Sequence, residues 1–153
     1  MTSQARVVAL AVRSGRRGPM IEVDEAVAEC DSGLAGDLPA RPPRGLTLLA
    51  QEQWLQVCAE LNAELPWHTR RANVLVEGLR LGELIGARLA LGEVEIDVVD
   101  ETEPCGEMDR LHPGLRRALT PDCRGGVHGR IVRAGTIRTG DPVRVLSPGR
   151  EKP

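Results

Sequence analysis

A chain with two tryptophans, Trp54 and Trp67, and neither phenylalanine nor tyrosine must fill its interior with Val, Leu, Ile and Ala. Side chains of that size suit closely spaced strands. The order of residues agrees. Short apolar runs at residues 7–12, 21–28, 46–49, 73–77, 88–91, 94–99, 127–132 and 143–146 read as strands, with Gly- or Pro-containing segments between them. The runs 88–91 and 94–99 flank Gly92-Glu93 and read as a hairpin. Gly78, Gly82 and Gly86 mark turns. Helical periodicity is confined to residues 51–61, where Trp54, Leu55, Val57, Cys58 and Leu61 recur at three-to-four spacing, and to a shorter stretch within 111–119. Residues 31–44, 100–106 and 122–126 read as loops, with 66–69 and 135–141 as connectors. The pattern predicts a mainly β fold, an antiparallel β-barrel with a few short peripheral helices. It predicts one domain over residues 1–148 and a disordered tail at 149–153.

Composition narrows the function. At 153 residues, with 41% apolar and 27% charged residues, the chain is in the range of one globular domain. A net charge of −2 gives no long-range attraction to nucleic acid or anionic membranes, and base-stacking platforms need aromatic faces that are missing. The apolar run near the start is too short for a secretory signal, and no stretch approaches the ~18 residues of a membrane span. A cytoplasmic protein is expected. Nearly every cation is Arg and the only Lys is Lys152. Bidentate anion binding is therefore available, whereas Schiff-base chemistry is not, so no pyridoxal phosphate is expected on this chain. Cys30, Cys58, Cys105 and Cys123 have no C-x-x-C spacing and read as free thiols in a reducing compartment.

Cys105 is the thiol whose setting points to chemistry. It sits in Glu103-Pro104-Cys105-Gly106, directly after a strand, where Pro104 stiffens the approach and Gly106 removes bulk. Burial as a small apolar residue is the alternative, but a Pro-Cys-Gly loop makes a poor core segment. A reactive thiolate needs cationic neighbours, for which Arg71 and Arg124 are the candidates. In Arg70-Arg71-Ala72-Asn73, strand alternation places Arg71 and Asn73 on one face, a clamp for a phosphate or a heterocycle edge. Arg70 reads as a solvated surface residue. The gaps between Cys105, His112, Cys123 and His128 match no familiar zinc-ligand pairing. Glu101 and Glu103 read as solvated carboxylates, and no Ser lies in a G-x-S-x-G setting.

Taken in order, these pieces resemble the MOSC domain, the family named for the C-terminal domain of molybdenum cofactor sulfurases. The resemblance runs over residues 31–145. It rests on Gly33-Leu34-Ala35-Gly36-Asp37, Arg71-x-Asn73, and Asn73-Val74-Leu75-Val76-Glu77-Gly78-Leu79. It continues through Pro104-Cys105, Gly125-Gly126-Val127 with Arg130-Ile131-Val132, and Gly135-x-Ile137-x-x-Gly140-Asp141-x-Val143. The resemblance implies a barrel-like fold whose cysteine binds the molybdenum of the pterin cofactor or carries a persulfide sulfur. Members include free-standing bacterial proteins similar to reductases of N-hydroxylated bases. Carried onto this chain, Cys105 is the metal ligand and catalytic thiol, and Arg71, Asn73 and Arg124 are the cofactor-binding residues. A separate cysteine desulfurase or electron-transfer protein is the implied partner.

Overall fold

The computed structural model describes residues 4–38 and 45–149. The 39–44 part of the irregular loop and residues 150–153 of the expected tail lie outside the described residues. Ten strands are described: β1 Arg6–Arg13, β2 Met20–Val23, β3 Glu25–Ala28, β4 Leu46–Ala50, β5 Val74–Glu77, β6 Arg88–Leu91, β7 Val94–Glu101, β8 Val127–Arg133, β9 Gly135–Arg138 and β10 Val143–Ser147. Helices α1 Gln51–Leu61, α2 Glu107–Leu111 and α3 Leu115–Leu119 accompany them, with short 3₁₀ turns at Trp67–Arg70, Leu81–Leu84 and Pro121–Cys123.

Eight strands form one sheet in the order β10-β6-β7-β8-β4-β5-β1-β2, and β3 pairs with β9 in a separate two-stranded ribbon. All neighbours are antiparallel except β4 and β5. Two parallel strands need a crossover, and α1 supplies part of it. The closed barrel expected from the sequence does not form; the sheet is curved and open, with β10 and β2 as its edges. The ends of the sheet do meet once, at an Arg6–Pro142 bridge. There the Val7 N–H donates to Asp141 O at 2.8 Å and the Val143 N–H to Ala5 O at 2.9 Å. That contact cannot lengthen into a ladder, because β2 already occupies the free edge of β1 from Leu10 to Arg13.

Other departures are local. The run 21–28 splits at Asp24: β2 stays with β1, while β3 leaves the sheet to pair with β9. Residues 135–138, expected as connector, thereby become a strand. The stretch 111–119 divides into α2 and α3 around Pro113-Gly114, where Gly114 has φ 87° and the chain cannot continue as one helix.

The two faces of the sheet bury different side chains. One face holds Val7, Leu10, Leu46, Leu48, Val74, Val76, Leu89, Ile96, Ile131 and their neighbours, all aliphatic. The other holds Ala11, Leu49 and Leu75, covered by Trp54 and Val57 of α1, Trp67 of the first 3₁₀ turn, and Met108, Leu115 and Leu119 of α2 and α3. Leu55, counted from its spacing with the buried stripe of α1, is instead 60% exposed.

Candidate functional site

The helices cover only part of their face. Beside them a row of polar residues crosses four strands, fixed by register. Asn73, just before β5, lies opposite Thr47 of β4; Thr47 pairs with His128 of β8, and His128 pairs with Asp100 of β7. At the ordinary strand spacing the row is on the order of 14 Å long.

Asn73 is 3% exposed and fully engaged. Its Oδ1 accepts from the Thr47 backbone N–H at 3.0 Å and hydroxyl at 3.2 Å, and its Nδ2 donates to Asp37 Oδ2 at 3.1 Å and to Ala11 O at 3.3 Å. Asp37 in turn accepts from Arg13, through the backbone N–H at 2.7 Å and Nη2 at 3.2 Å. Asn73 is thus the hub joining β1, β4 and the Gly36-Asp37 turn.

Arg71 does not share that direction. Strand alternation fails at this point because Arg71 follows a 3₁₀ turn and has φ 65°, in the left-handed region. Its guanidinium donates to Gly18 O at 2.7 Å and Gly15 O at 3.3 Å, and so ties down the β1–β2 loop that carries the exposed Arg16 and Arg17. Asn73 and Arg71 belong to one corner of the molecule, but their side chains hold different elements.

Cys105 lies past the end of β7, with its side chain exposed. Its carbonyl accepts the Met108 N–H at 3.0 Å and so opens α2. The arginine reaching this loop is Arg70, not Arg71 or Arg124. Arg70, expected as a solvated surface residue, is 7% exposed. Its Nη2 donates to Thr102 O at 2.8 Å and its Nε to Gly125 O at 2.9 Å, and Nη1 lies 3.7 Å from Met108 Sδ. Burial pulls its pKa down, opposed by the charges of Cys105 and Glu101. A guanidinium starts so high that it stays charged. A doublet of arginines at a strand mouth was the available signal. The 3₁₀ turn, which places successive residues about a third of a turn apart, sends Arg70 toward β7 and β8 and leaves Arg71 beside β1.

Arg124 is buried at 7% exposure and turned to the helices: Nη1 donates to Glu60 Oε2 at 2.7 Å and to Ala118 O at 3.1 Å. None of these contacts joins it to Cys105. A cavity of about 760 Å³ lies at the start of α1, lined by Glu52, Gln53, Gly82, Asp122 and Cys123 among others. Neither Cys105 nor Arg71 nor Asn73 lines it. In that cavity Cys123 keeps its proton: burial and the nearby carboxylates of Glu101, Asp100 and Asp122 all push its pKa up. Cys105 is therefore the better placed of the two thiols for chemistry.

No helix among the described residues is long and apolar enough to cross a membrane. No curated protein matches the chain in sequence. Solved structures do match in fold. The YuaD protein of Bacillus subtilis superposes with a TM-score of 0.79 at 19% identity, covering 95% of this chain and 97% of that one. YiiM of Escherichia coli gives 0.76 at 19% identity, over 95% of this chain and 72% of its own. YiiM of Geobacillus stearothermophilus gives 0.74 at 14% identity, over 93% and 75%. The MOSC domain model matches residues 36–144, a span that takes in Asp37, Arg70, Arg71, Asn73, Cys105 and Arg124, and the chain belongs to the MOSC domain family.

Proposed function

We propose that the chain is a cytoplasmic protein that binds the molybdenum cofactor through the Cys105 thiolate and serves the reduction of N-hydroxylated compounds. The observation that carries this reading is the exposed Cys105 thiol, on a loop clamped by a buried arginine, in a chain of the MOSC domain family.

The residues suit such a group. A soft, exposed thiolate matches a thiophilic metal. The anionic phosphate of the cofactor matches the corner where Arg71 holds the β1–β2 loop with Arg16 and Arg17, since Arg71 spends only two of its five N–H donors there. Thr102 Oγ1, three residues before Cys105, is a buried hydroxyl without a hydrogen-bond partner among the described residues. Asn73 acts through position: by gripping Thr47 and Asp37 it fixes the floor between the two arginines. Arg124 contributes from behind, anchoring Glu60 and Ala118. When bound, the cofactor supplies the two-electron change that removes oxygen as water. Cys105 would hold the metal, and the arginines would balance the charge of the anionic groups. Electrons come from a separate redox protein.

The same exposure favours one second reading. A thiol that a partner protein can reach is suited to accept sulfur from a cysteine desulfurase persulfide, with Cys105 as carrier.

Production in a cofactor-competent host followed by elemental mass spectrometry tests the first reading. Molybdenum in the wild type and its loss in Cys105→Ala are expected. Both proteins empty would overturn it. A gain of one sulfur atom on Cys105 after incubation with a desulfurase, in a protein without molybdenum, would favour the carrier.

A further inference from the structure

We infer that β2 is a self-pairing edge: its outer side fits the β2 strand of a second copy of this chain, antiparallel about a two-fold axis at Ile21, so that two eight-stranded sheets run on as one. This goes beyond the cofactor reading and does not depend on Cys105.

The neighbour of β2 shows which of its backbone groups face outward. Ala11 and Arg13 of β1 turn their N–H groups away from β2, to Asn73 O at 2.8 Å and Asp37 Oδ1 at 2.7 Å. In an antiparallel ladder the residue directly opposite then faces away as well. Glu22 stands opposite Ala11 and Met20 opposite Arg13, so the N–H and C=O groups of Met20 and Glu22 point to the open edge. Among the described residues no backbone bond meets them there. Ile21, between the two, lies opposite Val12 on the aliphatic face and is 49% exposed. Unmet backbone groups around an exposed isoleucine are a template for another strand.

Charge decides which strand. Exposed Arg16 and Arg17 precede β2, and exposed Asp24 and Glu25 follow it. Among the described residues neither arginine nor Asp24 enters an ion pair, and Glu25 meets only Arg138, at 3.3 Å. Each β2 is thus positive at its start and negative at its end. Laid antiparallel, a second copy brings its arginines to the carboxylates of the first, and the same at the other end. Laid parallel, like charges meet. Register follows from the same residues. With Ile21 opposite its own counterpart, Met20 of each copy exchanges both backbone bonds with Glu22 of the other. With Glu22 opposite itself, two carboxylates would stand side by side. Pro19 has no N–H and ends the ladder, so the contact is short and the dimer weak, with a Kd on the order of tens of micromolar.

Sedimentation equilibrium of the full chain under reducing conditions, from about 5 to about 500 µM, tests the pairing. A monomer–dimer equilibrium is expected. Ile21→Lys should weaken it at least about tenfold and Arg17→Glu about threefold at low salt. Cross-linking reads the register, because facing residues of such a non-hydrogen-bonded pair lie about 4.5 Å apart at Cα, within disulfide reach. Mild oxidation of Ile21→Cys should join position 21 of two copies, with peptide mass spectrometry separating that link from the exposed native Cys30 and Cys105. Val27→Cys, at a residue also 49% exposed, should not cross-link to itself. A wild type that stays monomeric throughout, a dimer that Ile21→Lys leaves intact, or Val27→Cys linking as fast as Ile21→Cys would each overturn the inference. Growth past a dimer would overturn it too, since β2 pairing with β10 of the next copy makes an open chain rather than a closed pair. If Ile21→Lys loses its far-UV circular dichroism, the Ile21→Cys cross-link decides.

Discussion

The two faces of the sheet are built from opposite materials. The aliphatic face packs Leu48, Leu89, Ile96 and Ile131, each at 1% exposure or less, against one another with no polar group among them. The other face carries both tryptophans, all three helices, the Asn73 hub and the Arg70 clamp. A face closed by apolar side chains has nothing left to offer a ligand. On the other face the helices stop short, and the uncovered strip must satisfy its polar groups by specific bonds. That strip is where chemistry can be placed, and its stability depends on geometry rather than on area alone.

The contrast can be broken most forcefully from the aliphatic side. Leu48→Ala removes a fully buried side chain where no helix can shift to fill the space, and a loss of about 3 kcal/mol is expected by urea unfolding. A loss under about 1 kcal/mol would mean that this face relaxes freely and is not the rigid one.

Next in size is Asn73→Ala. It strands the Thr47 N–H and Ala11 O at once and leaves Asp37 to Arg13 alone, so about 2 kcal/mol is expected, with the apolar packing intact. Near-UV circular dichroism of Trp54 and Trp67 checks locality: a preserved signal with reduced stability fits a polar hub, whereas a lost signal means that the hub also orders the helices.

The smallest effect belongs to the rim. Arg88 holds the Asp97 carboxyl below the usual carboxylate value, chiefly by their hydrogen bond at 2.7 Å, with burial opposing. A depressed folded-state pKa means that the unfolded chain binds more protons. The pair therefore contributes above the ordinary Asp value, near pH 4, and is lost as pH falls through the folded value. Solvent screens it, so the expected contribution is at most about 0.5 kcal/mol. Asp97→Asn should lower the urea midpoint slightly at neutral pH and leave it unchanged near pH 2. An equal loss at both would assign the effect to packing.

Legibility divided along the same line. Strands 7–12, 46–49, 88–91 and 94–99 were readable because their apolar runs are local and bounded by turn residues, as was α1 from its periodicity. Asp24 was not readable as the point where a strand changes sheets, since Thr139, the residue whose N–H bonds its carbonyl at 3.0 Å, is far along the chain. Cys105 was singled out from the residues of its own loop. That Arg70 rather than Arg71 reaches this loop was not readable, because the choice turns on one left-handed residue and on two carbonyls, Thr102 and Gly125, that only the β7–β8 pairing brings together.

The sequence by itself determined the aliphatic interior, the β character and the family. These follow from composition and from short motifs whose meaning is local. Tertiary structure alone decided that the sheet stays open, because β2 and the segment before β10 compete for one edge of β1. It alone decided that Arg124 turns to the helices while Arg70 reaches the Thr102 and Gly125 carbonyls, because a long, flexible guanidinium goes wherever folding leaves acceptors unmatched.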